Sequence, residues 1–94
     1  MKKLIKRHYQ AIVNRGLITQ KTDLIDFIKK IIEEYHESLE SIPYPPKLND
    51  KAIQEFIDLI MVITNMFQFF DIDIKKEILK NIEVQEKRAN EKLK

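Results

Sequence analysis

Residues 51–70 read KAIQEFIDLIMVITNMFQFF, and this stretch decides the fold class. Successive residues of a helix are about 100° apart, and on that wheel apolar side chains cover almost the whole circumference beyond the first turns. A helix of this kind is buried on more than one side. Near its start, Glu55 and Asp58 lie on either side of the direction of Val62. The stretch therefore predicts a central helix with an acidic pair at one end of a buried stripe.

The sequence before this stretch predicts two more helices. A first helix spans about residues 2–14 and ends at Gly16, because glycine accepts a left-handed conformation without strain. Thr22 or Asp23 caps a second helix over about residues 22–41. The apolar residues of the second helix form one stripe: Leu24, Ile25, Ile28, Ile31, Ile32, Tyr35 and Leu39.

Three prolines separate the second helix from the central one. They lie at positions 43, 45 and 46, where they exclude a helix and predict a loop. Asn49 or Asp50 then caps the third helix. Asp71 or Asp73 caps a fourth helix, which runs from about residue 74 into the charged tail.

These elements predict one all-α domain over residues 1–94, in the form of a four-helix bundle. A chain of 94 residues buries only a modest core by itself. A third helix with two apolar faces also needs a second packing surface, which a small bundle by itself does not supply. We therefore expect a homodimer or homotetramer. The residues expected in the core or the interface are Met61, Met66, Phe67, Phe69 and Phe70.

Composition excludes several classes of function. The chain has no cysteine, which rules out disulfides and zinc–thiolate sites. A net charge of +2 is too small to indicate binding to a DNA or RNA duplex. The basic start lacks the apolar segment of a signal peptide, and the apolar run 56–70 contains too many polar residues for a membrane span. We expect a cytoplasmic protein with no membrane contact.

Two acidic clusters stand out on the second and third helices. Glu34 and Glu37 are three residues apart, as are Glu55 and Asp58, so each pair projects on neighbouring directions of its helix. Two antiparallel helices joined by a short loop can bring the pairs together. Four converging carboxylates need a cation, and hard oxygen ligands favour Mg²⁺ or Mn²⁺. The alternative is a solvated acidic surface, which by itself explains the cluster that includes Glu33 and Glu37.

These motifs resemble those of the MazG-like nucleotide pyrophosphohydrolases. That family has E-E-x-x-E on one helix and E-x-x-D on the next, which here are Glu33, Glu34 and Glu37, then Glu55 and Asp58. The segment from Phe70 to Glu77 is similar to the family's G-I-D-L-E-E-A link into its last helix, with Asp71 in place of the glycine. The resemblance covers about residues 15–88.

The resemblance implies hydrolysis of a nucleoside triphosphate to the monophosphate and pyrophosphate. It implies that Glu34, Glu37, Glu55 and Asp58 are ligands of Mg²⁺, with Mn²⁺ as a possible substitute. Glu33 is then a further ligand or the catalytic residue that orients or deprotonates the attacking water. A cation of this kind neutralises phosphate charge and activates the water.

The last helix carries the candidate nucleotide and phosphate contacts. In the family, a lysine and an asparagine of this helix contact the nucleotide, and the corresponding positions here hold Asn81 and Gln85. The predicted contacts are Lys80, Asn81, Lys87 and Arg88, although each basic residue is equally compatible with a solvated helix surface.

Two other interpretations remain open. The chain can be a MazG-like helical interaction or regulatory module that is catalytically weak or inactive, or a structural bundle whose acids are surface charges. His8 and His36 are interpreted as packing or surface residues.

Overall fold

The computed structural model describes residues 1–93, and within that range it has four helices and no strand. They are α1 (Lys2–Asn14), α2 (Leu24–Glu40), α3 (Asp50–Phe69) and α4 (Ile74–Leu93). The predicted all-α class is confirmed, and each helix begins and ends within two residues of its predicted bounds. Lys94, the last residue of the predicted domain, lies outside the described residues.

Side-chain caps explain where three helices begin. The Asp23 carboxylate accepts a hydrogen bond from the backbone N–H of Asp26 at 3.1 Å, and the Asp26 carboxylate accepts from the N–H of Asp23 at 3.0 Å. This capping box starts α2. The Asn49 side chain accepts from the N–H of Ala52 at 2.8 Å and starts α3. The Asp73 side chain accepts from the N–H of Lys76 at 3.1 Å at the start of α4.

The ends of α1 and α3 share one turn geometry. Gly16 has a φ of 75°, and Asp71 occupies the equivalent position after α3 with a φ of 55°. Both turns have the two hydrogen bonds of a Schellman motif, which for α3 join Asp71 N–H to Gln68 O at 3.2 Å and Ile72 N–H to Phe67 O at 2.9 Å. Asp71 therefore holds a left-handed conformation, where glycine is favoured.

Replacing Asp71 by glycine should stabilise the protein. Glycine adopts a positive φ without the steric cost that an L side chain meets, and we expect a gain of about 0.5–1 kcal/mol in the free energy of unfolding. Urea unfolding followed by circular dichroism, at one fixed protein concentration, measures the change. Asp73→Ala is the matched control, since loss of that cap should destabilise the protein by about 1 kcal/mol. An unchanged or lower stability of Asp71→Gly would contradict the strained turn.

α3 is the central helix of the fold. It packs along α2 on one side and along α1 on the other, and the backbones of α1 and α2 do not approach each other. Ala52 and Asn65 are buried on α3, as are Ile5 on α1 and Phe27 on α2. The rings of Phe27, Phe69 and Phe70 pack at centroid distances of 5.0–6.0 Å near the end of α3.

The orientation of α2 differs from what its sequence pattern suggests. The residues of α2 that are buried are Phe27, Glu34 and Ser38. Most of its apolar stripe faces away from α3 and is 39–57% exposed: Leu24, Ile25, Ile28, Ile32, Tyr35 and Leu39. The physical reason is that Ser38 and Ala52 are small and fully buried, so the helices approach closely along the face that carries Ser38. The exposed stripe is therefore available for contact with another protein surface.

α4 extends away from the three-helix body. Among the other helices it approaches only α3, and residues 75–92 are all exposed. The radius of gyration is 16.3 Å, against about 12 Å for a compact domain of this length. The described residues therefore form a three-helix bundle with a projecting fourth helix.

Among the described residues, α3 is also the one helix long and apolar enough to cross a membrane. This is weak evidence, because the central helix of a bundle meets the same two criteria. Here α3 packs against helices on two sides and contains the ionisable residues Glu55 and Asp58.

Candidate metal centre

The structure brings both acidic clusters together around Glu34. One carboxylate oxygen each of Glu34, Glu55 and Asp58 lie within 4.8 Å of one another. The same is true of Glu33, Glu34 and Glu37. Glu34 belongs to both groups, so the two acidic clusters adjoin at this residue, between α2 and α3. Two clusters that are distant in the sequence thus supply oxygen ligands at a spacing that one hard cation, or two, can bridge after small side-chain adjustments.

Close packing of the two helices explains why the acids meet. The Ser38 hydroxyl lies 2.7 Å from the backbone oxygen of Glu34 and 3.1 Å from that of Glu55. Its single hydrogen is shared between a carbonyl of its own helix and one of α3, and so joins the turns that carry the two acids. Ala52, fully buried and one turn before Glu55, leaves room for this approach.

Glu34 is the sheltered member of the cluster. Its residue is only 7% exposed, and its Oε2 atom is buried with no hydrogen-bond partner. Burying an ionised carboxylate is costly unless its oxygens are paired or coordinated. Glu33, Glu37 and Asp58 are exposed, and Glu55 is half-buried. The sequence pattern predicts that the buried acids lie on α3, whereas the structure buries an acid of α2.

Lys30 supplies the positive charge nearest to the cluster. Its Nζ lies 3.1 Å from Glu34 Oε1 and 3.4 Å from Glu33 Oε1. Burial acts to lower the pKa of Lys30, but the contacts with Glu34 and Glu33 outweigh it, and the pKa of Lys30 is raised. One lysine does not neutralise five acids, so a net negative charge remains at the site.

Repulsion among the acids shows in Glu37. The charge of Glu34 is the largest cause that raises the pKa of Glu37, followed by desolvation, by a hydrogen bond with the Glu34 side chain and by the charges of Glu33 and Glu55. A bound divalent cation would reverse this effect, because it stabilises the ionised form of every carboxylate around it.

A cleft of about 500 Å³ opens from the acids between α1, α2 and α3. Glu34 and Asp58 lie at its wall, and its apolar lining consists of Ile12, Leu17, Ile18, Phe27 and Val62. Its polar lining consists of His8, Arg15, Thr22, Asp26, Lys30 and Asn65. His8 Nδ1 lies 3.3 Å from the Oδ1 of Asn65, which is itself buried. A cleft with apolar walls and a few convergent polar groups is typical of a small-molecule site.

The polar groups of this cleft were not predicted from the sequence. His8 was interpreted as a packing residue, and Arg15, Lys30 and Asn65 were not singled out. Asn65 had a signal, since Asp58, Val62 and Asn65 are four and three residues apart and share one face of α3. His8 and Arg15 had none, because only the packing of α1 on α3 brings them there. His36 is exposed, as expected.

The predicted contacts on α4 are not brought to this site within one chain. Lys80, Asn81, Lys87 and Arg88 are all exposed, and α4 does not approach α1 or α2. Lys80 Nζ instead lies 3.2 Å from Glu77 Oε1 on its own helix. Within one chain α4 therefore lies apart from the acids, and only a neighbouring subunit would bring these residues to them.

Comparisons with protein-family models, with curated proteins and with solved structures found no match for this chain. Membership of the MazG-like family remains a prediction from the sequence motifs.

Proposed function

We propose that the chain is a Mg²⁺-dependent nucleoside triphosphate pyrophosphohydrolase, which adds water across the bond between the α- and β-phosphates. The observation that carries this proposal is the buried, unpartnered Oε2 of Glu34 beside the carboxylates of Glu55 and Asp58. A divalent cation there satisfies the buried oxygen and offsets the repulsion among the acids. Mn²⁺ suits the same oxygen ligands.

Each group of the site has a part in this reaction. Glu34, Glu37, Glu55 and Asp58 hold the metal, and Glu33 at the exposed edge orients or deprotonates the attacking water. A bound Mg²⁺ supplies charge stabilisation for the phosphates and acidifies the water. The triphosphate chain of a nucleotide carries several negative charges, which suits it to a cleft that has basic residues beside a metal.

The cleft gives this proposal a place for the nucleotide. Arg15 and Lys30 provide positive charge on its wall. Asn65 of α3 and His8 of α1, which contact each other, provide hydrogen-bonding groups farther from the acids. The apolar residues between them suit the uncharged part of a nucleotide. Removal of aberrant nucleotides from a cytoplasmic pool is the role we propose for such an activity.

Pyrophosphate release from a panel of nucleoside triphosphates, with and without Mg²⁺, tests the proposal. We expect release that requires Mg²⁺ or Mn²⁺ and that stops when the ion is chelated. The thermal midpoint should also rise with Mg²⁺, by an amount that grows with the ratio of ion concentration to Kd. A protein that binds neither ion, and releases no pyrophosphate from any nucleotide in the panel, would refute both the metal centre and the activity.

The second candidate is a helical interaction or regulatory module with little or no turnover. Two observations favour it: the exposed apolar stripe of α2 and the projecting α4, neither of which contributes to the acid cluster in one chain. A protein that binds Mg²⁺ but hydrolyses no nucleotide would support this candidate.

We also infer a homodimer or homotetramer. The chain exposes 7996 Å², whereas a compact monomer of its mass, 11.3 kDa, exposes about 5700 Å². The difference exceeds the roughly 800 Å² per partner that a standard stable interface buries. The α2 stripe is apolar along its length, and a second copy with the same stripe provides a self-complementary partner.

A further inference from the structure

Lys30 contacts the metal centre through the two acids that lie one turn farther along α2. Its ammonium lies 3.1 Å from Glu34 and 3.4 Å from Glu33. Residues three and four apart on a helix are neighbours, so α2 itself places the ammonium within reach of both acids. A cation that binds Glu34 therefore meets a positive charge that is already in contact with that carboxylate.

We propose that Lys30 competes with the divalent cation for Glu34 and thereby sets the metal affinity of the site. This inference rests on the metal centre proposed above. The ammonium contacts Oε1 of Glu34, while Oε2 is buried, has no partner and belongs to the carboxylate that approaches Glu55 and Asp58. A cation held by that carboxylate would share its negative charge with the ammonium of Lys30. Two positive charges so placed repel each other.

Lys30 is able to yield its position. Its side chain is about half exposed, so its ammonium gains water when it leaves Glu34, and partly exposed ion pairs of this kind are weak. The cost of separation is therefore smaller than the gain when a divalent ion takes over the charge of Glu34, Glu55 and Asp58. Competition is reciprocal, so removal of the lysine charge must strengthen metal binding.

Mn²⁺ titration of the full chain by calorimetry, with no nucleotide present, tests the competition. Lys30→Gln should lower the Kd for Mn²⁺ by about fivefold or more, because a positive charge next to the ion is lost. Lys30→Arg keeps the charge and should stay within about twofold of the wild type. Lys29→Gln is the matched control: Lys29 is exposed on the same turn, and its loss should change the Kd by less than about twofold.

The outcomes separate this inference from the proposed function. If the wild type binds Mn²⁺ and Lys30→Gln binds it no more tightly than Lys29→Gln, the competition is refuted and the metal centre stands. If neither the wild type nor Lys30→Gln binds Mn²⁺, both proposals fail. Lys30→Arg separates the effect of charge from that of shape. If Lys30→Arg binds Mn²⁺ as tightly as Lys30→Gln does, the shape of the side chain is responsible and the competition of charges is refuted.

Discussion

Replacing Glu34 by glutamine should reduce pyrophosphate release by at least about 100-fold, the upper range seen when groups that only support a metal ligand are changed. Glutamine keeps the size and shape of the side chain but removes the charge that a metal needs. Glu34 is a member of both acidic groups and the only buried acid among the five. Its loss should therefore weaken the whole centre and not one side of it.

The same substitution should raise the stability of the metal-free protein. Glu34 buries a carboxylate with an unpartnered oxygen beside other acids, and a neutral amide relieves both the desolvation and the repulsion. The substitution also removes the ion pair with Lys30, but that lysine is half exposed, so the pair contributes little. We expect a gain of about 0.5–2 kcal/mol in the free energy of unfolding without metal. The increase of the thermal midpoint on adding Mg²⁺ should disappear. Opposite signs for activity and stability are typical of a functional site and not of a structural one.

Glu40→Gln is the control for this experiment. Glu40 is exposed on the same helix and belongs to neither acidic group, so its loss should leave turnover, metal response and stability near the wild type. Circular dichroism of each variant checks that helical content is kept. Wild-type turnover in Glu34→Gln would refute our assignment of the site, and an equal loss in Glu40→Gln would attribute the effect to overall charge.

The sequence predicted the helices well because their ends depend on local chemistry. Asp23, Asn49 and Asp73 hydrogen-bond to backbone within their own first turns, so the choice between neighbouring candidate caps was the only point left to the structure. The convergence of the acids was predictable only in part. Three-residue spacing places the two acids of each pair on one side of its helix, but the face that α2 turns toward α3 decides whether the pairs meet.

Features that depend on packing between helices were not predictable. The apolar stripe of α2 suggests the buried face, yet the small residues Ser38 and Ala52 select a neighbouring face for contact with α3. That choice makes Glu34 the buried acid and leaves Asp58 exposed. The position of α4 was equally unpredictable, because its charged pattern fits both a helix that closes the site and a helix that projects from the other three.

The exposed stripe of α2 predicts that copies of this chain associate. We expect the wild type to sediment as a dimer or tetramer at micromolar concentrations, and Ile28→Glu combined with Ile32→Glu to dissociate it. Both side chains are exposed in one chain, at 39% and 52%. Charges at these positions therefore disturb little inside the subunit, whereas burying them against a second copy would cost several kcal/mol.

The control and a second measurement keep this prediction testable even if the double variant folds poorly. Lys29→Glu adds negative charge between the two positions but off the stripe, and it should leave the mass of the assembly unchanged. In the wild type, the thermal midpoint should rise with protein concentration, because dissociation is coupled to unfolding in an assembly that completes its own core. A wild type that sediments as a monomer, with a midpoint independent of concentration, would show that the stripe does not join copies of this chain. The large surface of α2 would then be the docking face for a different protein, which is the arrangement that the non-catalytic alternative requires.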